Sequence, residues 1–160
     1  MAIDQNEILL ESGTNEVEIF EFLVDGQSYG VNALKVRQVT QFQPEKIQEL
    51  PMMPEGMIGN VIMRDQIIRV CDIRKMLQMD STPRPQRAIL LLSEFNSQVV
   101  GFVVDQITGI CRVNWQNVQS PSAFLKTSTI TGVAVIQDRK VSMLDFESLI
   151  VSMFGMHDQS

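Results

Sequence analysis

The chain has 160 residues, of which 44% are hydrophobic and 20% are charged, enough for one domain of two lobes but short for two large independent domains. The net charge of −6, with 13 basic residues scattered among 19 acidic ones, argues against nucleic-acid binding, which needs clustered Lys and Arg. Because no apolar run is long enough to span a membrane and the acidic start does not resemble a signal peptide, we expect a cytoplasmic protein.

The first half of the chain reads as short strands followed by one helix. In chain order, strands or extended segments are predicted at residues 18–25, 28–33, 35–42, 56–63 and 66–71. Turns are expected at Gly26-Gln27 and Arg64-Asp65, and a loop with three prolines precedes the second hairpin. Asp72 is placed to cap a short helix that runs to about Leu77.

The second half has the same order of elements, after an irregular boundary at residues 81–86. Strands are predicted at residues 87–95, 98–105, 107–113, 130–136 and 140–144. Turns are expected at Asn96-Ser97 and at residues 137–139, and Asp145 is placed to cap a closing helix from residue 146 to about 154. Short β-branched strands separated by Gly, Asn and Asp turns indicate small β-barrels rather than a parallel sheet.

The similarity of the two halves can be followed residue by residue. An offset of 73 residues places Gly59 on Gly132 and Asp72 on Asp145, and an offset of 71 residues matches earlier pairs. Those earlier pairs include Gly30 with Gly101, Val36 with Ile107, and Val39 with Ile110. We therefore expect one domain over residues 1–160, built from two repeats at about 18–80 and 87–154 that form subdomains related by pseudo-twofold symmetry. The groove between the subdomains is the expected binding site.

Residues with catalytic chemistry are nearly absent from the sequence. The single histidine, His157, lies in the C-terminal tail, and the two capping aspartates have a structural explanation. Cys71 and Cys111 lie in strand-like runs, which favours reduced buried thiols over a disulfide or a metal site. We expect no enzyme, cofactor or metal, although a small β-barrel enzyme or ligand-binding protein stays open as the alternative. Arg64 is either a solvated turn residue or an arginine that reaches across the lobe junction.

Four segments resemble one known family. Residues 58–77, IGNVIMRDQIIRVCDIRKML, are similar to the signature of the CheW-type coupling domain of bacterial chemotaxis. Residues 29–39, 99–110 and 130–150 agree with it in order and spacing, so the resemblance covers about 18–154. The start, EILLESGTNEVEIFEF, resembles CheV, in which a receiver domain follows the coupling domain; no receiver is found in this chain. Asp65 and Arg69 depart from the family pattern, which has Gly and commonly Pro there.

The resemblance implies two SH3-like five-stranded β-barrels and a non-catalytic adaptor without a cofactor. Its partners would be the cytoplasmic tips of chemoreceptors (methyl-accepting chemotaxis proteins) and the regulatory domain of the histidine kinase CheA. The adaptor would be cytoplasmic and recruited to membrane-associated receptor arrays without inserting into the membrane. The alternative is the coupling module of a longer, receiver-containing CheV protein.

Carried over position by position, the resemblance also implies the residues that line the receptor groove. They are Val36, Gln38, Gly59, Arg64, Ile89, Ile107 and Ile110. Gln38 stands where the family usually has Glu, so a charge contact is not expected at that position. The kinase would contact the barrel ends, for which the sequence assigns no residues.

Overall fold

The protein is mostly β-structure in a computed structural model that describes residues 15–79, 88–120 and 129–155. The strands are β1 (Glu16–Val24), β2 (Gln27–Asn32), β3 (Gln38–Phe42), β4 (Met57–Met63), β5 (Gln66–Asp72), β6 (Ala88–Phe95), β7 (Gln98–Val104), β8 (Gln106–Asn114), β9 (Val118–Gln119), β10 (Ile130–Ile136) and β11 (Arg139–Leu144). Two α-helices, α1 (Ile73–Met76) and α2 (Phe146–Phe154), follow β5 and β11, and 3-10 turns lie at Ala33–Lys35, Pro44–Lys46 and Trp115–Asn117. The predicted boundary at residues 81–86 and the tail histidine His157 lie outside the described residues.

The strands form two sheets, each of which is one SH3-like β-barrel subdomain. Barrel 1 has the strand order β8-β1-β2-β11-β10-β9, and barrel 2 has the order β3-β6-β7-β5-β4. Each barrel thus takes the first hairpin of one repeat and the last three main strands of the other. The expectation that residues 18–80 and 87–154 are the two subdomains is wrong, because the chain passes from one barrel to the other after β2 and again after β7.

The pairing registers nevertheless follow the sequence repeat residue by residue. Gly59 pairs with Val70 in barrel 2, and Gly132 pairs with Met143 at the equivalent place in barrel 1. A register shift lies just before each of these glycines, between Met57 and Gly59 and between Ile130 and Gly132. The predicted equivalence of the two halves is therefore present in the hydrogen-bonded ladders, with the hairpins exchanged.

Four two-residue turns connect the hairpins, and both central residues of each have positive φ. The turns are Asp25-Gly26, Arg64-Asp65, Asn96-Ser97 and Gln137-Asp138. This is the type I′ geometry, whose twist matches that of antiparallel strands. The first turn lies one residue before the predicted Gly26-Gln27, because Val24 and Gln27 are the last pair of the ladder.

Buried apolar side chains form three cores. One core fills barrel 1 and includes Ile19, Val113 and Val141; another fills barrel 2 and includes Ile68, Val70 and Leu90. The third, which we call the junction cluster, lies between the barrels and draws on both sheets and on α2. Its buried members are Phe20, Phe22, Val24, Tyr29, Val31, Cys71, Ile73, Leu91, Val100, Phe102, Val104, Leu144, Phe146, Leu149 and Ile150.

Helix α2 connects the two barrels at the centre of the junction cluster. The ring of Phe146 stacks on Phe102 of barrel 2 at a centroid distance of 4.0 Å and lies 6.5 Å from Phe22 of barrel 1. Both predicted helix caps are confirmed: the carboxylate of Asp145 accepts from the backbone N–H of Glu147, and that of Asp72 accepts from the N–H of Arg74.

The two cysteines are free thiols, as predicted, but only Cys71 is fully buried. Burial raises the pKa of the Cys71 thiol to about 12. Cys111 is only partly buried, and its pKa is raised by burial and by the nearby Glu21 carboxylate. Neither thiol is therefore held as a reactive thiolate near neutral pH.

Candidate interaction surface

Strand β8 forms one edge of barrel 1, and a β-bulge sets which of its side chains face the junction. Ile110 pairs with Phe20, but after Glu21 and Gly109 the register shifts so that Ile107 pairs with Phe22. Thr108 is the extra residue of the bulge, and Gly109 has the positive φ of 142°. Since Phe20 and Phe22 belong to the junction cluster, the bulge places both isoleucines on the junction face, where paired side chains lie on the same side.

These two isoleucines lead from the interior of the junction to its surface. Ile107 is partly buried and packs against the junction cluster, whereas Ile110 is 60% exposed. The edge of barrel 1 therefore exposes the β-branched side chain of Ile110 to solvent next to the junction cluster.

Strand β3 is the corresponding edge of barrel 2. Its Val39 pairs with Leu91 of the junction cluster and is 42% exposed. Val39 is the repeat equivalent of Ile110, so the two edge strands expose one apolar side chain each at equivalent places. The predicted groove residues did not include Val39, although the 71-residue offset that pairs it with Ile110 was readable from the sequence.

The structure brings three other predicted groove residues to the same cluster. Val36, Ile89 and Ile107 are all partly buried and pack against the border of the junction cluster. Gln38 is different: it pairs with Leu92, whose side chain belongs to the core of barrel 2, so it lies on the opposite face of β3 from Val39.

Gly59 and Arg64 lie apart from these residues, on the β4–β5 hairpin. Gly59 is buried with φ of 145°, and a Cβ there would meet the carbonyl oxygen of Gln48 at 2.5 Å. Its role in this structure is to allow the backbone of Gln48 to pair closely with Asn60. Arg64 is exposed in the type I′ turn, at the opposite end of β5 from α1, roughly 20 Å along the strand.

Exposed ion pairs flank both edge strands. Arg37 binds Glu94 at 2.7 Å beside β3, and Arg112 binds Glu18 at 3.3 Å beside β8. In each pair both side chains are between 45% and 69% exposed, so they form a polar rim and contribute little to folding stability. An apolar seam with a polar rim is typical of protein interfaces.

Buried apolar side chains form the core of each barrel. An open hollow of about 430 Å³ lies outside barrel 2, lined by residues that include Lys46, Gln48 and Ile62. No group of three His, Cys, Asp or Glu side chains in the described part of the chain is arranged to hold a metal ion. Within the same residues, no helix is long and apolar enough to cross a membrane.

The sequence profile of the CheW-like domain matches residues 18–153, which is most of the chain. The chain belongs to the CheW-like domain family. Two relatives are chemotaxis proteins CheW: that of Klebsiella aerogenes is 22% identical over 138 residues, covering 84% of this chain and 82% of the relative. That of Rhizobium meliloti is 24% identical over 138 residues, covering 84% and 88%.

A CheV protein is also similar to this CheW-like chain. Chemotaxis protein CheV3 of Helicobacter pylori is 27% identical over 150 residues, which cover 85% of this chain but only 48% of CheV3. Among solved structures, the scaffolding protein TtCheW of Thermoanaerobacter tengcongensis superposes with a TM-score of 0.71 at 21% identity, covering 80% of this chain and 88% of TtCheW. The predicted family and the predicted two-barrel fold are thus confirmed, while the receptor-groove residues stay a prediction.

Sequence reasoning missed one further exposed apolar feature of this CheW-like domain. Ile62 and Ile67 pair across β4 and β5, next to the Arg64-Asp65 turn, and are 58% and 62% exposed. In the run IGNVIMRDQIIRV the apolar residues do not alternate strictly, so the sequence does not show which isoleucine faces the core.

Proposed function

We propose that this CheW-like chain is a non-catalytic adaptor of bacterial chemotaxis signalling that couples chemoreceptors to the histidine kinase CheA. The receptor's helical tip would dock on the apolar edge of the junction, and the kinase regulatory domain would bind elsewhere on the barrels. The adaptor would act in the cytoplasm at membrane-associated receptor arrays. Its action needs binding surfaces and no chemical step.

The observation that carries this proposal is the bulge at Thr108 and Gly109. Without the extra residue, Ile107 and Ile110 would lie on opposite faces of β8, because successive residues alternate. With it, both face the junction, and together with Val36, Val39 and Ile89 they extend the buried cluster toward solvent. An amphipathic helix recognises a row of apolar anchors of this kind.

Weak binding at this surface would suit an adaptor. The exposed anchors are few and the ion pairs around them are solvated, so one contact would give modest affinity. In an array each further contact becomes effectively intramolecular, and the assembly becomes strong without strong single contacts.

The test is titration of a purified receptor cytoplasmic fragment and, separately, of the kinase regulatory domain against two variants. Ile110→Asp puts a carboxylate on the junction edge, where receptor binding would bury it; because Ile110 is 60% exposed, the fold should survive. Met52→Asp is the matched control, since Met52 is 90% exposed in the loop before β4.

We expect Ile110→Asp to weaken receptor binding by more than about tenfold, which corresponds to 1.4 kcal/mol, and to leave kinase binding nearly unchanged. Met52→Asp should bind both partners normally. Val36→Asp should also lose receptor binding, but with some loss of stability, because Val36 packs against the junction cluster. A folded Ile110→Asp protein that binds receptor as the wild type does would refute the proposed surface.

A CheV-type coupling module is the second candidate, favoured by the 27% identity to CheV3. Such a module would make the same receptor and kinase contacts, within a protein that also carries a receiver domain. The reading frame of the complete gene distinguishes the two candidates. A small molecule retained tightly in native mass spectrometry, with no binding to receptor or kinase, would instead indicate a ligand-binding barrel.

A further inference from the structure

The two passages of the chain between the barrels are built differently. The first crossover, residues 33–37, leads from β2 to β3 through the 3-10 turn Ala33–Lys35. The second crossover is Asp105 alone, which leads directly from β7 to β8. Backbone bonds fix both: Arg37 donates to the carbonyl oxygen of Leu92 at 2.7 Å, and Asp105 donates to that of Leu23 at 3.0 Å.

A largely buried ionic network ties the second crossover to α1. Nη2 of Arg74 donates to both carboxylate oxygens of Asp105, at 2.9 and 2.8 Å, and lies 3.2 Å from Oδ1 of Asp25. The backbone N–H of Asp25 also donates to Asp105 at 2.8 Å. The side chain of Arg74 is only 10% exposed and that of Asp105 24%, so water screens this network weakly.

A solvated ion pair ties the first crossover to α2. Nζ of Lys35 donates to Oε2 of Glu147 at 3.0 Å, and the two side chains are 41% and 43% exposed. Glu147 and Arg74 are repeat equivalents at the 73-residue offset, but their partners are not, because the 71-residue offset matches Lys35 with Gln106 and not with Asp105. An ion pair as exposed as Lys35–Glu147 is weak and is screened by salt.

We propose that Lys35 and Glu147 are positioning residues for the apolar edge of barrel 2. Their ion pair holds the first crossover against α2, and this crossover opens locally more often than the second. Val36 lies in the crossover, and Gln38 and Val39 follow at once, so opening displaces this edge while the Ile107–Ile110 edge stays in place. The consequence for receptor affinity rests on the proposed function; the local opening does not.

Amide hydrogen exchange tests the opening without any partner. The reporters of the first crossover are the N–H groups of Leu34, Val36 and Arg37, which bond to Asn32, Ala33 and Leu92. Those of the second are the N–H groups of Asp25 and Asp105. We expect the first set to exchange faster in the wild type, once intrinsic rates are divided out, and to speed up further when NaCl rises from about 0.1 M to about 1 M.

A charge series at position 35 separates the ion pair from other effects of the side chain. Lys35→Met should raise exchange of the first set by about two- to fivefold, the range of an exposed ion pair, and Lys35→Glu should raise it more, through repulsion by Glu147. Lys35→Arg keeps the charge and should restore the wild-type rates. Arg112→Met removes an exposed ion pair within barrel 1, and it should leave these amides unchanged.

Titration of the three Lys35 variants with the receptor fragment tests the expected effect on receptor affinity. Affinity should fall in the order of increasing exchange, with Lys35→Arg close to the wild type and kinase binding unaffected. The inference is overturned if the second crossover exchanges faster in the wild type, or if Lys35→Met and Arg112→Met give the same exchange at Leu34 to Arg37. If no variant, including the wild type, binds receptor while exchange follows the series, the proposed function fails and the positioning role stands.

Discussion

Replacing Arg139 with Ala should destabilise the protein by several kcal/mol, because the buried carboxylate of Glu21 loses its charged partner. Glu21 is 2% exposed on β1, and Arg139 reaches it from the start of β11 with two bonds, Nη2 to Oε1 at 2.6 Å and Nε to Oε2 at 3.2 Å. This contact raises the pKa of Arg139. Removing one partner of a buried pair costs about 3–5 kcal/mol, since the remaining charge has no partner.

The side chain of Glu21 is 2% exposed, so water does not readily replace the lost guanidinium. We therefore expect a loss of about 3 kcal/mol at pH 7.

Urea unfolding of Arg139→Ala at pH 7, followed by the fluorescence of Trp115, measures the effect. Trp115 packs against the core of barrel 1, which makes it a local reporter. Arg112→Ala, which removes an exposed pair with Glu18, should cost less than about 1 kcal/mol. Equal losses of unfolding free energy for the two arginine variants would refute the reasoning.

Barrel 2 shows which side chains can replace the Glu21–Arg139 ion pair. At the places equivalent to Glu21 and Arg139 it has Leu92 and Gln66, and Leu92 is buried in its core. The double variant Glu21→Leu with Arg139→Gln should therefore recover most of the lost stability, because it leaves an apolar side chain at the buried position 21 and an uncharged polar one at the half-exposed position 139.

Three further predictions concern the junction and the helix caps. Phe146→Ala should cost about 3–5 kcal/mol in urea unfolding, because it leaves a cavity between Phe22 and Phe102; a loss below 1 kcal/mol would mean that the barrels do not depend on this ring. Asp72→Ala and Asp145→Ala should each cost about 0.5–2 kcal/mol without a specific binding defect, and unchanged melting with lost partner binding would contradict the capping role. The pKa of Cys71 is raised to about 12, so the thiol of the folded protein should resist iodoacetamide at pH 8, and rapid labelling would disprove its protection. The contribution of the buried neutral thiol to folding stability should be lost as the pH rises above 9, where the unfolded chain begins to ionise.

The local elements of the fold were readable from the sequence because their signals are local. Type I′ turns leave short polar pairs such as Asn96-Ser97 between apolar runs, and an aspartate before an apolar helix face marks each cap. The closing helix, predicted from residue 146 to about 154, spans Phe146–Phe154 in the structure. The exchange of hairpins between barrels left no such signal, because β1–β2 and β6–β7 would bury the same alternating faces in either arrangement.

The groove was predicted only in part, for reasons that lie in the backbone. Resemblance placed Val36, Ile89 and Ile107 at the junction, where the structure also has them. The bulge that turns Ile110 to the same face depends on a register shift between β1 and β8, and Gly109 within the strand pattern is a weak signal of it in the sequence. Gly59 was assigned to the groove on resemblance alone, whereas its contacts with Gln48 are those of a glycine needed for close backbone approach.

The differences between the repeats bear on how a symmetric scaffold can join two different partners. Two identical barrels would present the same surface twice and bind one kind of partner twice. Here the hairpin of β4 and β5 exposes the pair Ile62 and Ile67, while its equivalent in barrel 1 pairs Val135 with the exposed Lys140. The two hairpins thus differ in both polarity and charge although their backbone registers match. A partner that recognises the isoleucine pair would have to desolvate an ammonium group on the other barrel, so the two ends of the domain are chemically distinct.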